Sequence, residues 1–193
     1  MPSVLKHMKF IIGKKLGMTT LYEKGKALNV TLVSCEPNKV SFIRTQEKDG
    51  YTAVQLEVAK TKKVAYKKEF RLADVAAYQV GQEITLDIFE KGEEVKVTGV
   101  TKAKGFQGGV KRHGFHGSDQ THGHKHDHRA PGSVGATDPQ RVFKGLRMAG
   151  RMGGVQSSML NLELVYIDKE NNIIGLRGAV PGVSGRLVEI ITK

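Results

Sequence analysis

Apolar and polar positions along this chain alternate over short runs and rarely recur at helical spacing. "KFIIG" (9–13), "ALNVTLVSC" (27–35), "KVSFIRTQ" (39–46), "YTAVQLEVA" (51–59), "EITLDIF" (83–89) and "EVKVTGV" (94–100) are rich in β-branched residues. Such residues fit a pleated, half-buried surface, and a period of two marks strands. Turn material, "EKDG" (47–50) and "EKGE" (90–93), separates several of them. The pattern resumes late, in "NLELVYID" (161–168), a "KENN" turn, "IIGLRGAV" and "RLVEIIT". Strands at near-regular spacing predict a mainly β fold whose body, residues 1–100 and 160–193, is a small β-barrel. The one helix signal is "LADVAAYQ" (72–79), a short one.

Residues 101–159 break the pattern. They hold 12 of the 23 glycines and sustain neither a period of 2 nor one of 3.6. A loop this long is functional or disordered. Phe106, Phe115 and Phe143 recur through it, and its glycines sit beside cations rather than serines. The reading is a long, irregular, glycine-rich basic extension that a partner orders. Its two arms, at about 3.3 Å per residue, could reach on the order of 85 Å.

Charge sharpens this picture. The 193 residues carry a net +12, which points to an anionic partner. Residues 102–154 contain ten Lys or Arg against three Asp, a net of +7, leaving +5 for the rest of the chain. No run approaches the roughly 18–20 apolar residues of a membrane span. "MPSVLKHMKFIIGKK" has cations on both sides of a very short apolar run and does not read as a signal peptide. The single cysteine, Cys35, excludes an internal disulfide and reads as a small buried hydrophobe without chemistry.

Six of the seven histidines lie in "HGFHGSDQTHGHKHDHRAPGSVG" (113–135). His122, His124, His126, Asp127 and His128 are plausible metal ligands, but no Cys pair and no HExxH accompanies them, so no metal site is assigned. Ser118, Asp119 and His122 sit together without a G-x-S-x-G elbow or a rigid scaffold and read as polar loop residues; the rival reading is a His-dependent RNA hydrolase or metal-assisted nuclease that uses the same loop. "GKKLGMT" (13–19) lacks the spacing of a phosphate loop. A spread row of cations with glycines between them matches a row of phosphates, because backbone N–H groups can approach closely where side chains are absent. Histidine and arginine planes suit folded RNA better than duplex DNA.

"GKKLGMT" (13–19), "VTGVTKAKGFQGGVKRHGF" (97–115), "HRAPGSVG" (128–135), "VFKGLRMAGRMGG" (142–154) and "GAVPG" (178–182) together resemble, almost end to end, the bacterial large-subunit ribosomal protein L-three family. The resemblance implies a non-catalytic protein without cofactor, substrate or membrane, cytoplasmic and within the ribosome. It implies a barrel bound to large-subunit rRNA beside neighbouring ribosomal proteins, early action in subunit assembly, and residues 101–159 penetrating the RNA toward the peptidyl transferase centre. Residues expected on RNA are Lys14, Lys15, Lys102, Lys104, Lys111, Arg112, His113, His122, His128, Arg129, Arg141, Lys144, Arg147 and Arg151. The tip nearest that centre would be Gly135, Ala136, Thr137, Asp138, Pro139 and Gln140. Three departures stand out: a shortened segment before Glu69 (59–68), the additional His124 and His126, and "DPQR" (138–141) where many members read Thr-Pro-Gly. The family's methylated glutamine near the tip is not carried over to Gln140.

Overall fold

In the computed structural model, which describes residues 8–23, 25–59 and 64–192, the alternating runs become strands. They are β1 (Phe10–Glu23), β2 (Lys26–Ser34), β3 (Asn38–Arg44), β4 (Ala53–Ala59), β5 (Ala65–Arg71), β6 (Glu83–Ile84), β7 (Glu94–Val100), β8 (Phe106–Gln107), β9 (Gly150–Arg151), β10 (Gln156–Asp168), β11 (Ile173–Arg177) and β12 (Leu187–Thr192). Two short helices, α1 (Gln46–Asp49) and α2 (Gly109–His113), complete a mainly β chain. It divides into two units: Met1–Thr101 with Gln156–Lys193, and Lys102–Val155.

In the first unit six antiparallel strands pair in the order β1-β12-β7-β10-β11-β2, and β2 returns to pair with β1, closing the ring. Ile11, Val33, Val97, Leu164, Ile174, Leu176 and Ile190 form its interior. A four-stranded sheet, β5-β4-β3-β6, supplies a second core of Val40, Val54, Leu56 and Phe70, into which Phe10 and Ile12 of β1 also project. The start of β1 is therefore buried on both faces, which explains its unbroken apolar run, "FII". Phe10 stacks on Phe70 at 4.6 Å. Buried Asn38 accepts a hydrogen bond from the Ile12 N–H (2.9 Å) and donates one to the Ile12 carbonyl (3.0 Å). Its amide takes the place of a paired strand there, leaving no backbone group of Ile12 unsatisfied.

Gly13 is the close-approach point of this strand: a Cβ there would lie 2.5 Å from both Cys35 Sγ and Val33 Cγ1. Cys35 is fully buried, and burial pushes its thiol pKa well above the ordinary range, so the side chain is inert.

Several elements differ from their sequence reading. "LADVAAYQ" forms turns, not a helix. The Asp74 carboxylate accepts from the Ala76 N–H, a local bond that competes with helix, while Leu72, Val75 and Tyr78 pack on the second core. "EITLDIF" gives two residues of β6 and then a 3-10 turn, Leu86–Ile88, that buries Leu86 and Phe89. β5 was invisible because "AYKKEFR" is largely charged; Lys67 pairs with Glu57 and Lys68 with Glu189. Strand structure resumes at Gln156 rather than at 160, through polar residues that pair across the ladder, as Ser158 does with Thr98 at 2.8 Å. "GKKLGMT" lies inside β1. The N-terminal heptapeptide and residues 60–63 of the shortened segment fall outside the described residues.

Candidate nucleic-acid interface

The second unit is more ordered than its composition suggests. β8 and β9 pair as a two-stranded ladder, extended by Lys104 N–H to Met152 O and Met152 N–H to Gly105 O, both 2.9 Å. Gly153, at φ +71°, permits the chain to close, since a Cβ there would lie 2.0 Å from the Lys102 carbonyl oxygen. α2 follows β8 and stops at Gly114, a left-handed residue whose N–H bonds to Val110 O. Lys111, Arg112 and His113 occupy its last turn, where cations oppose the exposed carbonyl dipoles. Phe115 folds back onto Gly109 and lies 5.7 Å from the His113 ring. Arg112 Nη1 donates to Met148 O at 2.6 Å, and His113 Nε2 lies 3.0 Å from the same oxygen. These two side chains tie the outgoing arm to the returning one.

The histidine-rich stretch closes on itself. Ser118 N–H bonds to His128 O, His128 Nδ1 lies 3.0 Å from Asp119 O, and His124 Nδ1 lies 2.8 Å from Asp127 Oδ2. The bond from His124 holds the Asp127 carboxyl below its usual pKa. Gly117 sits so near the His128 carbonyl that a Cβ would come within 2.0 Å of its oxygen. Among the described residues no three of His, Cys, Asp and Glu converge as a metal-ligating group. Gln140, at φ +49°, donates its N–H to Thr137 O, and Arg141 lies 5.8 Å over the Phe143 ring.

Lys102, Lys104, Lys111, Arg112, Lys125, Arg129, Arg141, Lys144, Arg147 and Arg151 are all exposed. Among the described residues none of these ten is ion-paired, whereas Lys9, Arg44, Lys67, Lys68, Lys91, Lys169 and Arg177 of the first unit are. His122 is exposed in a left-handed conformation; His113 and His128 are partly covered. Gly135–Asp138 and Gln140 are exposed, with Pro139 partly so. Lys14 lines a cleft of about 640 Å³ with Ser34, Glu36, Tyr66 and Arg186. Lys15 lies differently from Lys14. It is buried, and its ammonium donates to Val180 O (2.7 Å) and Gly182 O (3.1 Å), because the strand alternation that exposes Lys14 turns its neighbour inward. Sequence reading also missed Arg112 and His113 as internal ties, since their shared acceptor is a backbone carbonyl 35 residues on from His113.

A model of the family "Ribosomal protein L3" matches residues 31–173. The chain is 46% identical to the large ribosomal subunit protein uL3 of Salinispora tropica, covering 97% of this chain and 94% of that one. It is 45% identical to uL3 of Corynebacterium jeikeium (96% and 94%) and 43% identical to uL3 of Carboxydothermus hydrogenoformans (94% and 96%). The chain belongs to the ribosomal protein L3 family. Ribosomal protein L3 is a structural component of the ribosome and not an enzyme, as the resemblance of the five quoted blocks implied.

Proposed function

We propose that this chain is a structural constituent of the large ribosomal subunit that binds large-subunit rRNA, supports early subunit assembly and contacts neighbouring ribosomal proteins. The closed ring of strands serves as a barrel body that fixes position. The second unit serves as the extension that enters the RNA. The observation carrying this reading is its ten exposed lysines and arginines, none ion-paired among the described residues, set among glycines and only three carboxylates. A carboxylate-poor row of cations repels itself and releases counterions when phosphates replace solvent.

In this reading Lys102, Lys104, Lys111, Arg129, Arg141, Lys144, Arg147 and Arg151 meet phosphates, and Lys14 adds a contact from the body. Of His113, His122 and His128, His122 is the exposed one and meets RNA. His113 and His128 act mainly by shaping the loop, and Arg112 does both, because one Nη1–H bond to Met148 O leaves further donors on the guanidinium. The stretch from Gly135 to Gln140 is the part nearest the peptidyl transferase centre.

Titrating the purified chain against an rRNA fragment at several salt concentrations tests this. About eight phosphate contacts give a log–log slope of affinity on salt of roughly −5 to −7. A flat response would overturn the reading.

A further inference from the structure

The outer face of the four-stranded sheet carries a second cluster of aromatic and guanidinium groups. Strand register sets Phe42, Gln55 and Glu69 in one row across β3, β4 and β5, and Arg44, Ala53 and Arg71 in the next. Ala53 is the small residue between the two arginines. Tyr51, just ahead of β4, brings its ring between them: the Arg44 guanidinium carbon lies 5.6 Å from the ring centroid and that of Arg71 lies 5.0 Å away. Arg44 also lies 5.4 Å over the Phe42 ring. The result is an alternating stack, Phe42–Arg44–Tyr51–Arg71, of aromatic and cationic planes.

Glu69 holds this stack in place. Its carboxylate accepts from Arg44 Nε (2.8 Å), Tyr51 Oη (2.9 Å) and Gln55 Nε2 (3.2 Å). Asp49 bonds the other end of the Arg44 guanidinium. The middle of the stack is thus hydrogen-bonded and ion-paired, while its ends are exposed. Phe42 is 47% exposed. Arg71 is exposed, and among the described residues neither it nor exposed Lys39 on β3 forms an ion pair.

We propose that this stack is a second RNA contact, an open-ended platform on which an unpaired nucleobase of single-stranded RNA stacks, against Phe42 or Arg71, with Lys39 or Arg71 meeting the adjoining phosphate. The proposal rests on the RNA-binding reading of the chain but uses a surface separate in sequence from residues 102–155. A merely structural cluster would bury its aromatic end and pair its terminal cation. An acidic peptide would engage the cations and gain little from an exposed ring. A base uses both, since every base offers a π face and carries a phosphate beside it.

The chain has no tryptophan, so Phe42→Trp places a lone reporter at the open end of the stack. The probe is an unstructured adenosine–uridine RNA of about a dozen nucleotides, within the site sizes of roughly 4–16 nucleotides known for single-strand binding folds. It is titrated into the full-length variant, with and without Gln in place of Lys111, Lys144, Arg147 and Arg151. The expected result is saturable quenching in both backgrounds. Phe42→Ala, or Arg71→Ala in the reporter chain, should weaken oligomer binding roughly 5- to 100-fold, as loss of one base–aromatic stack does. Unquenched emission while the native chain keeps its salt-dependent rRNA affinity would sink the platform and leave the RNA-binding reading standing. Quenching with no salt-dependent rRNA affinity would do the reverse. Should Phe42→Trp misfold, photocrosslinking of the native chain to a thiouridine-substituted oligomer replaces it. Adducts in 39–51 or 65–71 support the platform; adducts confined to 102–155, or assembled subunits in which this face crosslinks only to polypeptide, overturn it.

Discussion

Single residues at close-approach points set local stability. Gly13 has no room for a methyl group, because Cys35 Sγ, Val33 Cγ1 and the Ser34 carbonyl crowd the position. Gly13→Ala should therefore cost about 1–3 kcal/mol, the usual penalty for overpacking, read as a lower urea midpoint at unchanged m-value. Gly25, by contrast, has nothing near its Cβ position. Glu69 has a different effect, tied to pH. The bond from Arg44, then that from Tyr51, lowers its pKa from the ordinary value of 4.5. A carboxyl whose folded pKa is depressed stabilises the fold above its unfolded pKa, and that stability is lost as pH falls through the lower folded value. The difference in urea midpoint between the native chain and Glu69→Gln should thus be full at neutral pH and shrink below about pH 4.5. A difference that stays constant as pH falls below about 4.5 would contradict this.

At the scale of elements, the second unit depends on a few bonds rather than on a core. Gly117 combines a φ of +77° with a carbonyl 2.0 Å from its Cβ position. Gly117→Ala should open the loop it closes, raising hydrogen-exchange rates through residues 118–130 while amides of β7, β10 and β12 keep their protection. In the native chain without RNA, the amides of Lys104, Arg112, Gly114 and Met152, each bonded to a backbone carbonyl, should exchange more slowly than those near 133–138. Uniformly fast exchange from 102 to 155 would show that the ladder and α2 form only on RNA. The ties from Arg112 and His113 to Met148 O explain why the arms need no hydrophobic core to stay together.

For the molecule as a whole, charge is divided unevenly: +7 on residues 102–154 against +5 elsewhere. Among the described residues carboxylates pair with seven lysines and arginines of the first unit and with none of the ten in the second. If phosphates are the partner of those ten, each cation lost should reduce the salt slope by about 0.7–0.9. Lys144→Gln with Arg147→Gln should then lower it by roughly 1.5, with little change in urea stability, since neither side chain is ion-paired among the described residues. Unaltered slope in the double variant would place these residues away from RNA.

Period-two alternation, turn chemistry and the placement of charge are local properties, so most strands, the inert Cys35, the break at the glycine-rich segment and the family blocks were all legible in the chain itself. The strand character of "AYKKEFR" and of residues 156–159 was not, because cross-strand pairing rather than local hydrophobicity makes them strands. Nor was the burial of Lys15, the absence of a helix at 72–79, or the stack running from Phe42 to Arg71. Each of those depends on which distant residue stands opposite. Alternation assigns a side chain to a face, but only the closed register of the sheets decides what that face meets.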